Sequence, residues 1–243
     1  MLYRRFTPRN HRVIAVCNEG RDVLIANGCY PDRIQVIYNG IEPCPDPPRS
    51  DALRRELGLG DDVFLICCLA RFDPEKGLDF LVRSLARLGE RTRRPFCCAV
   101  AGDGPLMEAV RAQAAAAGLG DRLRLLGYRR DIPQILASSD LYVCSSSRNE
   151  ALSFAILEAM NAGLPLVVTD VGGNRDLAEA RIVCGRVVPP GDEEGFAGAI
   201  AELMENDELR RQFSAAATEK IAARFDLNKL ALEVYQTYYE TEK

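Results

Sequence analysis

The chain has 243 residues, of which 47% are hydrophobic and 27% charged, and its formal net charge is -4. Such a length and composition are typical of an ordinary globular protein with a sizeable core. The slight acidic excess argues against a nucleic-acid-binding protein, which normally carries a basic excess. No apolar run is long enough to cross a bilayer, and we expect no signal peptide at the N-terminus.

Nine cysteines and a single histidine bear on redox state and metal binding. The cysteine number is odd, no Cys-x-x-Cys pair occurs, and five cysteines fall inside strand-like apolar runs: Cys67, Cys68, Cys97, Cys98 and Cys144. Free cysteine in such runs behaves as a small hydrophobic residue. The sequence therefore predicts a reduced, cytoplasmic protein without a structural zinc site.

The first part of the chain predicts a strand, a helix, a second strand and then a linker. Residues 11–18 and 32–41 are strand-like, and residues 19–28 form a helical pattern closed by Gly28. Four prolines between Pro43 and Pro48 mark the linker. We expect the strand Val13–Val16 to expose an apolar edge, which invites pairing with another chain.

From residue 63 onward, short apolar runs alternate with helical patterns. The predicted strands are Val63–Ala70, Phe96–Ala101, Leu123–Leu126, Leu141–Cys144, Leu166–Thr169 and a run near Arg181–Val188. The predicted helices are Leu78–Leu88, Leu106–Ala117, Ile132–Ala137, Phe154–Asn161 and a short one from Gly173 to about Ala180. This alternation predicts an α/β fold, a Rossmann-like doubly wound parallel sheet covered by helices on both faces.

Three further helices are predicted at the C-terminus: Glu193–Met204, Glu208–Ala223 and Leu227–Glu240. Each follows an acidic cap candidate, namely Asp192, Asp207 or Asp226. The last helix carries a broad apolar and aromatic face made by Leu230, Val234, Tyr235, Tyr238 and Tyr239. That face indicates packing either on its own domain or on a partner.

The segment from Arg148 to Pro165 carries the strongest functional signal. Glu150 and Glu158 are separated by seven residues, Glu150 before a predicted helix and Glu158 about one turn inside it. Ser153 is predicted to cap this helix through its hydroxyl group. The free amides at the helix start carry a partial positive charge, which suits a phosphate or a sugar hydroxyl.

Other polar residues follow predicted strands, where doubly wound sheets bind ligands. Arg71 and Lys76 come after the strand that ends near Ala70, and both side chains can stabilise charge on a phosphate. Gly102 and Gly104 allow a tight backbone approach after the next strand, although a plain turn explains the pair equally well. They do not form a dinucleotide fingerprint, because the third glycine is missing.

Taken in order, these motifs resemble the donor-binding half of retaining GT-B glycosyltransferases, a large family (group 1, or family 4-like) marked by a Glu-(seven residues)-Glu motif. The matching segments are Ile37–Ile41, Arg71–Gly77, Gly102–Pro105, Leu126–Gly127, Glu150 with Glu158, and Gly172–Gly173. The resemblance implies the C-terminal half of a GT-B fold with a helical C-terminus. It also implies transfer of a sugar from a nucleotide diphosphate to an acceptor hydroxyl with retained anomeric configuration.

The resemblance assigns roles to individual residues. Glu150, Arg71 and Lys76 are the expected catalytic residues, Arg71 and Lys76 as ligands of the diphosphate and Glu150 as a partner of the sugar hydroxyls. Glu158 is expected to accept hydrogen bonds from the ribose. The remaining expected donor-binding residues are Gly102, Gly104, Tyr128, Arg129, Ala151, Leu152, Ser153 and Phe154. A UDP-sugar is the expected co-substrate, and we expect no cofactor and no metal.

The resemblance also divides the chain. Residues 1–44 correspond to the end of an N-terminal acceptor domain and its linker, and residues 45–225 to the donor-binding domain. Residues 226–243 correspond to a helix that packs toward the acceptor domain. The implied acceptor is a sugar or a lipid-linked glycan, with no role for nucleic acid. The arginine-rich start of the chain is compatible with a peripheral position at the inner face of the membrane.

Other classes of protein remain open at this stage. The chain could be a non-catalytic or split nucleotide-sugar-binding module that acts with the missing domain or with a second copy, through Val13–Val16 or the last helix. A nicotinamide-dependent dehydrogenase needs the glycine fingerprint that is missing here. A nucleotide-sugar epimerase needs further acid and base groups. The last two classes fit the motifs less well than the first two.

Overall fold

The computed structural model describes residues 12–240, which contain eight strands in two sheets. The strands are β1 (Val13–Ala15), β2 (Ile34–Val36), β3 (Phe64–Leu69), β4 (Phe96–Ala101), β5 (Leu123–Gly127), β6 (Leu141–Cys144), β7 (Leu166–Thr169) and β8 (Gly185–Val188). β1 and β2 form a small sheet, and the other strands form a six-stranded sheet in the order β5-β4-β3-β6-β7-β8. All pairings between these strands are parallel.

Helices connect the strands and follow them at the C-terminus. They are α1 (Asn18–Ala26), α2 (Ala52–Leu57), α3 (Leu78–Arg91), α4 (Met107–Ala116), α5 (Ile132–Ser138), α6 (Phe154–Asn161), α7 (Asn174–Ala178), α8 (Glu193–Glu205), α9 (Asp207–Arg224) and α10 (Leu227–Glu240). Short 3₁₀ turns precede β2, α3 and β5 at Pro31–Arg33, Pro74–Lys76 and Gly120–Arg122.

The order of strands in the large sheet creates a crevice between β3 and β6. β4 and β5 extend the sheet on one side of β3, and the chain then crosses to add β6, β7 and β8 on the other side. The doubly wound fold predicted from the sequence is therefore confirmed. In sheets of this kind, ligands bind where the strand order reverses, beyond the carboxyl ends of the two neighbouring strands.

Both faces of the large sheet are buried. Leu65, Ile66 and Cys67 follow one another in β3, and each is 0% exposed. Ile66 belongs to the apolar cluster under α3 and α8, whereas Leu65 and Cys67 belong to the cluster under α6 and α9. A strand buried on both faces needs apolar residues at every position, which explains the uninterrupted apolar runs in the sequence.

The five cysteines predicted to be small hydrophobic residues are buried in β3, β4 and β6, and all nine cysteines are free thiols. Burial raises the pKa of Cys67 to about 12. These thiols act as core side chains, as expected for cysteine in the middle of a parallel sheet.

The small β1–β2 unit is attached to the large sheet through polar contacts. The Asn18 backbone amide and side-chain amide donate to the Asp176 carboxylate at 2.9 and 2.7 Å. The chain passes between the small unit and the large domain near Ile41 and again near Phe225. These two segments lie side by side, because the Ile41 amide donates to the Phe225 carbonyl at 2.8 Å. Thr237 of α10 donates to the Gln35 side chain of β2 at 3.0 Å, so the last helix packs against the small unit.

Several predictions of local structure need correction. α2, which lies between the proline-rich linker and β3, was not predicted. The helix cap of α9 is Asn206, whose side chain accepts from the Leu209 amide at 2.9 Å, and not Asp207. Val13–Ala15 pairs with β2 of the same chain, so one edge of this strand is covered. Self-association through Val13–Val16 stays a prediction.

Candidate functional site

A cleft of about 850 Å³ opens at the carboxyl ends of β3 and β6. Eight of the predicted site residues line it: Arg71, Lys76, Gly102, Tyr128, Arg129, Glu150, Ser153 and Phe154. The cleft lies at the reversal of strand order, where the fold class places its ligands. Gly104, Ala151, Leu152 and Glu158 do not line this cleft.

The centre of the cleft is an ion pair between Lys76 and Glu150. The Lys76 Nζ atom lies 2.6 Å from Glu150 Oε2, and the two side chains are 25% and 11% exposed. Burial works to lower the pKa of Lys76, but the hydrogen bond and charge of Glu150 outweigh it and leave that pKa above its ordinary value. Lys76 is therefore a charged donor at neutral pH, already turned toward the middle of the cleft.

The loop that carries Lys76 is fixed against the end of β6. The Ser145 hydroxyl donates to the Lys76 carbonyl at 2.8 Å, and the Ser147 amide donates to the Glu75 carbonyl at 2.8 Å. Gly77 has a φ of +58°, and a Cβ atom there would lie 2.2 Å from the Ser145 carbonyl oxygen. Only glycine allows this approach without a shift of the loop.

Arg71 stands at the rim of the cleft. Its side chain is 78% exposed and its guanidinium lies 2.7 Å from the Asp73 carboxylate. Arg71 is thus a largely solvated cation at the edge of the cleft, paired with Asp73. Its predicted diphosphate contact stays a prediction.

Gly102 and Gly104 lie against the loop after β3. A Cβ atom at Gly102 would lie 1.9 Å from the Ala70 carbonyl oxygen, and one at Gly104 would lie 2.7 Å from that of Phe72. The Phe72 amide also donates to the Asp103 carbonyl at 2.9 Å. The predicted close backbone approach is confirmed, and the backbone approached is that of this chain. A donor contact of either glycine stays a prediction.

The start of α6 faces the cleft without a side-chain cap. Ser153 is the N-cap residue, but its hydroxyl makes no capping hydrogen bond, so that part of the prediction is wrong. Phe154, an expected donor-binding residue, is exposed and lines the cleft, whereas Ile156 and Leu157 are buried. The first amides of α6 are therefore available to an anion or a hydroxyl group.

Glu158 lies in a neighbouring pocket of about 260 Å³, formed by α5, α6 and the proline-rich linker. Ile132 lines both this pocket and the main cleft, so the two are adjacent. The Glu158 residue is exposed to solvent. Partial desolvation of its carboxyl group nevertheless raises the pKa of that group. The structure thus separates the two glutamates, with Glu150 in the cleft and Glu158 beyond its edge.

Tyr128 and Arg129 form the wall next to Ile132. Tyr128 is exposed in the cleft. The Arg129 guanidinium pairs with Glu56 at 2.5 and 2.9 Å and with Asp131 at 2.8 and 2.6 Å, and these partners raise its pKa. Through these four hydrogen bonds Arg129 holds α2 against the start of α5, and its donor contact stays a prediction.

Sequence reasoning missed Ser146, whose hydroxyl donates to Glu150 Oε2 at 2.8 Å. The run of three serines directly after a buried strand was the available signal. Sequence reasoning also missed that Gly173 donates its amide to the Ala151 carbonyl at 2.7 Å, which fixes the loop after Glu150. Ala151 and Leu152 belong to this loop and not to the lining of the cleft.

The described part of the chain, residues 12–240, holds no group of three or more His, Cys, Asp or Glu side chains that could bind a metal ion. Within the same residues, no helix has the length and apolar character needed to cross a membrane.

The architecture matches solved glycosyltransferases of the GT-B class. The Anabaena protein HepE in complex with UDP superposes with a TM-score of 0.84 at 26% identity, covering 94% of this chain and 64% of that one. HepE in complex with UDP-glucose gives a TM-score of 0.82 over the same shares. A glycosyltransferase from Rickettsia africae shares the fold, with a TM-score of 0.87 at 22% identity over 100% of this chain and 66% of that one.

The chain belongs to the family of group 1 glycosyl transferases, whose family model matches residues 49–220. Residues 1–43 match a second model, Glycosyltransferase Family 4. The alpha-D-kanosaminyltransferase of Streptomyces kanamyceticus is 33% identical over 196 residues, covering 79% of this chain and 49% of that protein.

The UDP-Gal:alpha-D-GlcNAc-diphosphoundecaprenol alpha-1,3-galactosyltransferase of Escherichia coli is 29% identical over 236 residues, which cover 94% of this chain and 60% of that protein. The chain therefore spans about half to three fifths of the length of these two relatives.

Proposed function

We propose that residues 45–225 bind the donor of a retaining glycosyltransferase, a UDP-sugar, and present its sugar for transfer to an acceptor hydroxyl. The observation that carries this proposal is the Lys76–Glu150 pair beside the uncapped start of α6. The cleft thereby offers a half-buried cation for phosphate and a carboxylate for sugar hydroxyls at adjacent positions. The UDP and UDP-glucose complexes of HepE support uracil as the base.

In this proposal, the Lys76 ammonium group shifts partly away from Glu150 and contacts the diphosphate. There it stabilises the charge that develops when the bond between sugar and diphosphate breaks. Arg71 contacts the same phosphates from the rim, where its side chain is 78% exposed and would exchange its pairing with Asp73 for the phosphates. The amides at the start of α6 contribute further donors to the phosphate and sugar. These groups neutralise the leaving diphosphate, so the proposal includes no metal ion.

Glu150 contacts hydroxyls of the transferred sugar, and Glu158 accepts from the ribose hydroxyls where the two pockets meet. A carboxylate with two acceptor oxygens suits a vicinal diol. We propose retention of configuration, with the acceptor attacking on the same face as the departing phosphate. In this scheme the phosphate oxygen accepts the acceptor proton while the bond between sugar and diphosphate breaks.

Calorimetric titration of the purified chain with UDP, GDP and ADP, with and without Mg²⁺, tests the donor site directly. We expect saturable binding of UDP alone that does not depend on the metal. Titrations with UDP-glucose and UDP-galactose then identify the sugar. Tighter binding of GDP or ADP would contradict the uridine assignment, and no binding to a folded chain would contradict the proposed site.

Retention can be tested without knowing the acceptor. If the chain hydrolyses a bound UDP-glucose slowly, proton NMR identifies the anomer released first, before mutarotation. Release of the α-anomer supports retention, and release of the β-anomer contradicts it. A Glu150→Gln variant serves as the control for contaminating hydrolases, because its rate should fall with the loss of the charged pair.

We further propose that full transfer needs an acceptor-binding domain, since the relatives have additional length beyond the part covered here. A sugar or lipid-linked glycan is the proposed acceptor, and a cytoplasmic position at the inner face of the membrane is the proposed location. The name of the E. coli relative, which acts on a diphosphoundecaprenol-linked sugar, supports a lipid-linked acceptor.

A second candidate function is a binding module that holds the nucleotide sugar and works with a partner subunit. The observation that favours it is the exposed face of α10, where Leu232, Tyr235 and Tyr239 are each more than half exposed. Analytical ultracentrifugation distinguishes the two functions when combined with the titration. A self-associating chain that binds UDP without hydrolysing UDP-sugars favours the module, and a catalytic monomer rules it out.

A further inference from the structure

We propose that Ser146 is a positioning residue that anchors Glu150, so that Lys76 can move to the donor while the carboxylate stays in place. This inference rests on the proposed function. Ser146 follows β6 and is 1% exposed, and its hydroxyl donates to Glu150 Oε2 at 2.8 Å. The same oxygen accepts from Lys76 Nζ at 2.6 Å.

The two hydrogen bonds divide the carboxylate into an occupied oxygen and a free one. A carboxylate oxygen can accept about two hydrogen bonds, so Oε2 is saturated by Ser146 and Lys76. Within residues 12–240, no hydrogen bond to Glu150 Oε1 is formed. Glu150 therefore presents one acceptor oxygen to the cleft, and the orientation of that oxygen depends on what holds Oε2.

Ser146 is itself held by a series of buried hydrogen bonds. The Thr169 hydroxyl at the end of β7 donates to the Ser146 carbonyl at 2.5 Å. The Asn174 side-chain amide at the start of α7 donates in turn to the Thr169 carbonyl at 3.0 Å. Thr169 and Asn174 are both 0% exposed. These buried hydrogen bonds connect Ser146, which follows β6, to Thr169 at the end of β7. They hold Ser146 in a fixed position, so that it can act as a rigid anchor.

The anchor matters because Lys76 has two tasks. Before the donor binds, its ammonium group neutralises Glu150, and in the proposed function it then contacts the diphosphate. A carboxylate held by Lys76 alone would follow the ammonium or rotate when that contact changes. Ser146 keeps one hydrogen bond to Oε2 throughout, so Oε1 continues to face the sugar hydroxyl. The inference thus assigns Ser146 to recognition of the sugar and not of the nucleotide.

The test compares binding of UDP with binding of whichever of UDP-glucose and UDP-galactose the wild type prefers, measured by calorimetry. For Ser146→Ala we expect affinity for the UDP-sugar to fall about tenfold, the size of a lost hydrogen bond to a charged group. Affinity for UDP should be unchanged. Thr218→Ala is the control, because it also removes one hydroxyl group, which donates to the Ala215 carbonyl at 3.0 Å within α9 and lies outside the cleft; it should leave both affinities unchanged.

A second variant separates the hydroxyl from the volume it fills. Ser146→Cys keeps the shape but offers only a weak donor, so its loss of UDP-sugar affinity should approach that of the alanine variant. Wild-type behaviour of Ser146→Cys would mean that volume matters, and would overturn the inference. Equal loss of UDP and UDP-sugar in Ser146→Ala, or no loss of either, would also overturn it. Failure of the wild type to bind either ligand is a different result, which removes the proposed function and the inference together.

Discussion

Gly172 lies directly against the backbone of Glu150. A Cβ atom at Gly172 would stand 1.5 Å from the Glu150 carbonyl oxygen, and the residue has a φ of +59°. Together with the hydrogen bond from Gly173 to Ala151, this contact fixes the loop that presents Glu150 to the cleft. The paired glycines before α7 therefore support the loop that carries Glu150.

Gly172→Ala should displace the Glu150 loop. We expect the variant to lose at least about 2 kcal/mol of unfolding free energy, because both the backbone conformation and the contact become strained. Affinity for a UDP-sugar should fall with it, as measured by calorimetry on the folded fraction. Gly58→Ala is the control, since Gly58 has a φ of +66° but open space around it. The control should show only the cost of the left-handed conformation, about 1–2 kcal/mol, with unchanged binding.

The sequence predicted most of the large sheet because its strands are short apolar runs bounded by breaking residues. The bounds of β4, β6 and β7 agree with the predicted runs, and so do those of α6. The small unit was less predictable: β2 covers only Ile34–Val36 of the ten residues predicted, since the turn at Pro31–Arg33 precedes it and the chain then crosses to the large sheet.

The candidate site could be predicted as a set of residues but not as a geometry. The motif order placed Lys76 and Glu150 after strands, yet their 2.6 Å contact joins residues 74 positions apart and depends on β3 lying next to β6. Glu158 lies on α6, the helix whose first residues line the cleft, but its side chain lines the pocket beside the proline-rich linker. The bond from Ser146 to Glu150 depends on the conformation of one loop, which residue spacing does not determine.

Lys76→Met should weaken binding of diphosphates more than binding of monophosphates. The substitution removes the charge that the proposal places on the diphosphate and leaves Glu150 without its cation. We expect affinity for UDP to fall roughly 10- to 100-fold and affinity for UMP to change much less, as measured by calorimetry under identical conditions. Equal losses for the two nucleotides would contradict the phosphate role and indicate that the variant disturbs the whole cleft.

Glu158→Gln tests the ribose assignment across the two pockets. We expect UDP to bind about 1.5–3 kcal/mol more weakly to the variant, the range for a hydrogen bond to a charged group. The 2′-deoxy analogue of UDP should already bind more weakly to the wild type and should lose less on mutation. Parallel losses for UDP and its deoxy analogue would rule out a contact with the 2′-hydroxyl.

The same carboxylate predicts a pH dependence of UDP binding. Desolvation raises the pKa of Glu158, so its charged form is lost at a higher pH than for an ordinary glutamate. Affinity for UDP should therefore fall as the pH is lowered through that raised pKa, and Glu158→Gln should flatten this part of the profile. Calorimetry between pH 4.5 and pH 7.5, about the range in which the folded chain is expected to be stable, checks the prediction. An unchanged profile in the variant would assign the pH dependence to another group.

The lowered pKa of Lys220 predicts that its contribution to the unfolding free energy rises under alkaline conditions. It is buried in α9, its Nζ donates to the Ile182 carbonyl at 2.8 Å, and desolvation lowers its pKa to about 8. In the unfolded chain the pKa of lysine is about 10.4, so between these values the unfolded state binds more protons and the contribution of Lys220 to stability rises with pH. Buried cysteines act in the opposite direction above about pH 9, because their thiols ionise only on unfolding.

Urea unfolding of the wild type and of Lys220→Met from pH 7 to pH 10.5 isolates the effect of the lysine, since the cysteines are common to both proteins. Over this range, the difference in unfolding free energy should move in favour of the wild type by about 1–3 kcal/mol. Parallel curves for the two proteins would show that Lys220 keeps its ordinary pKa.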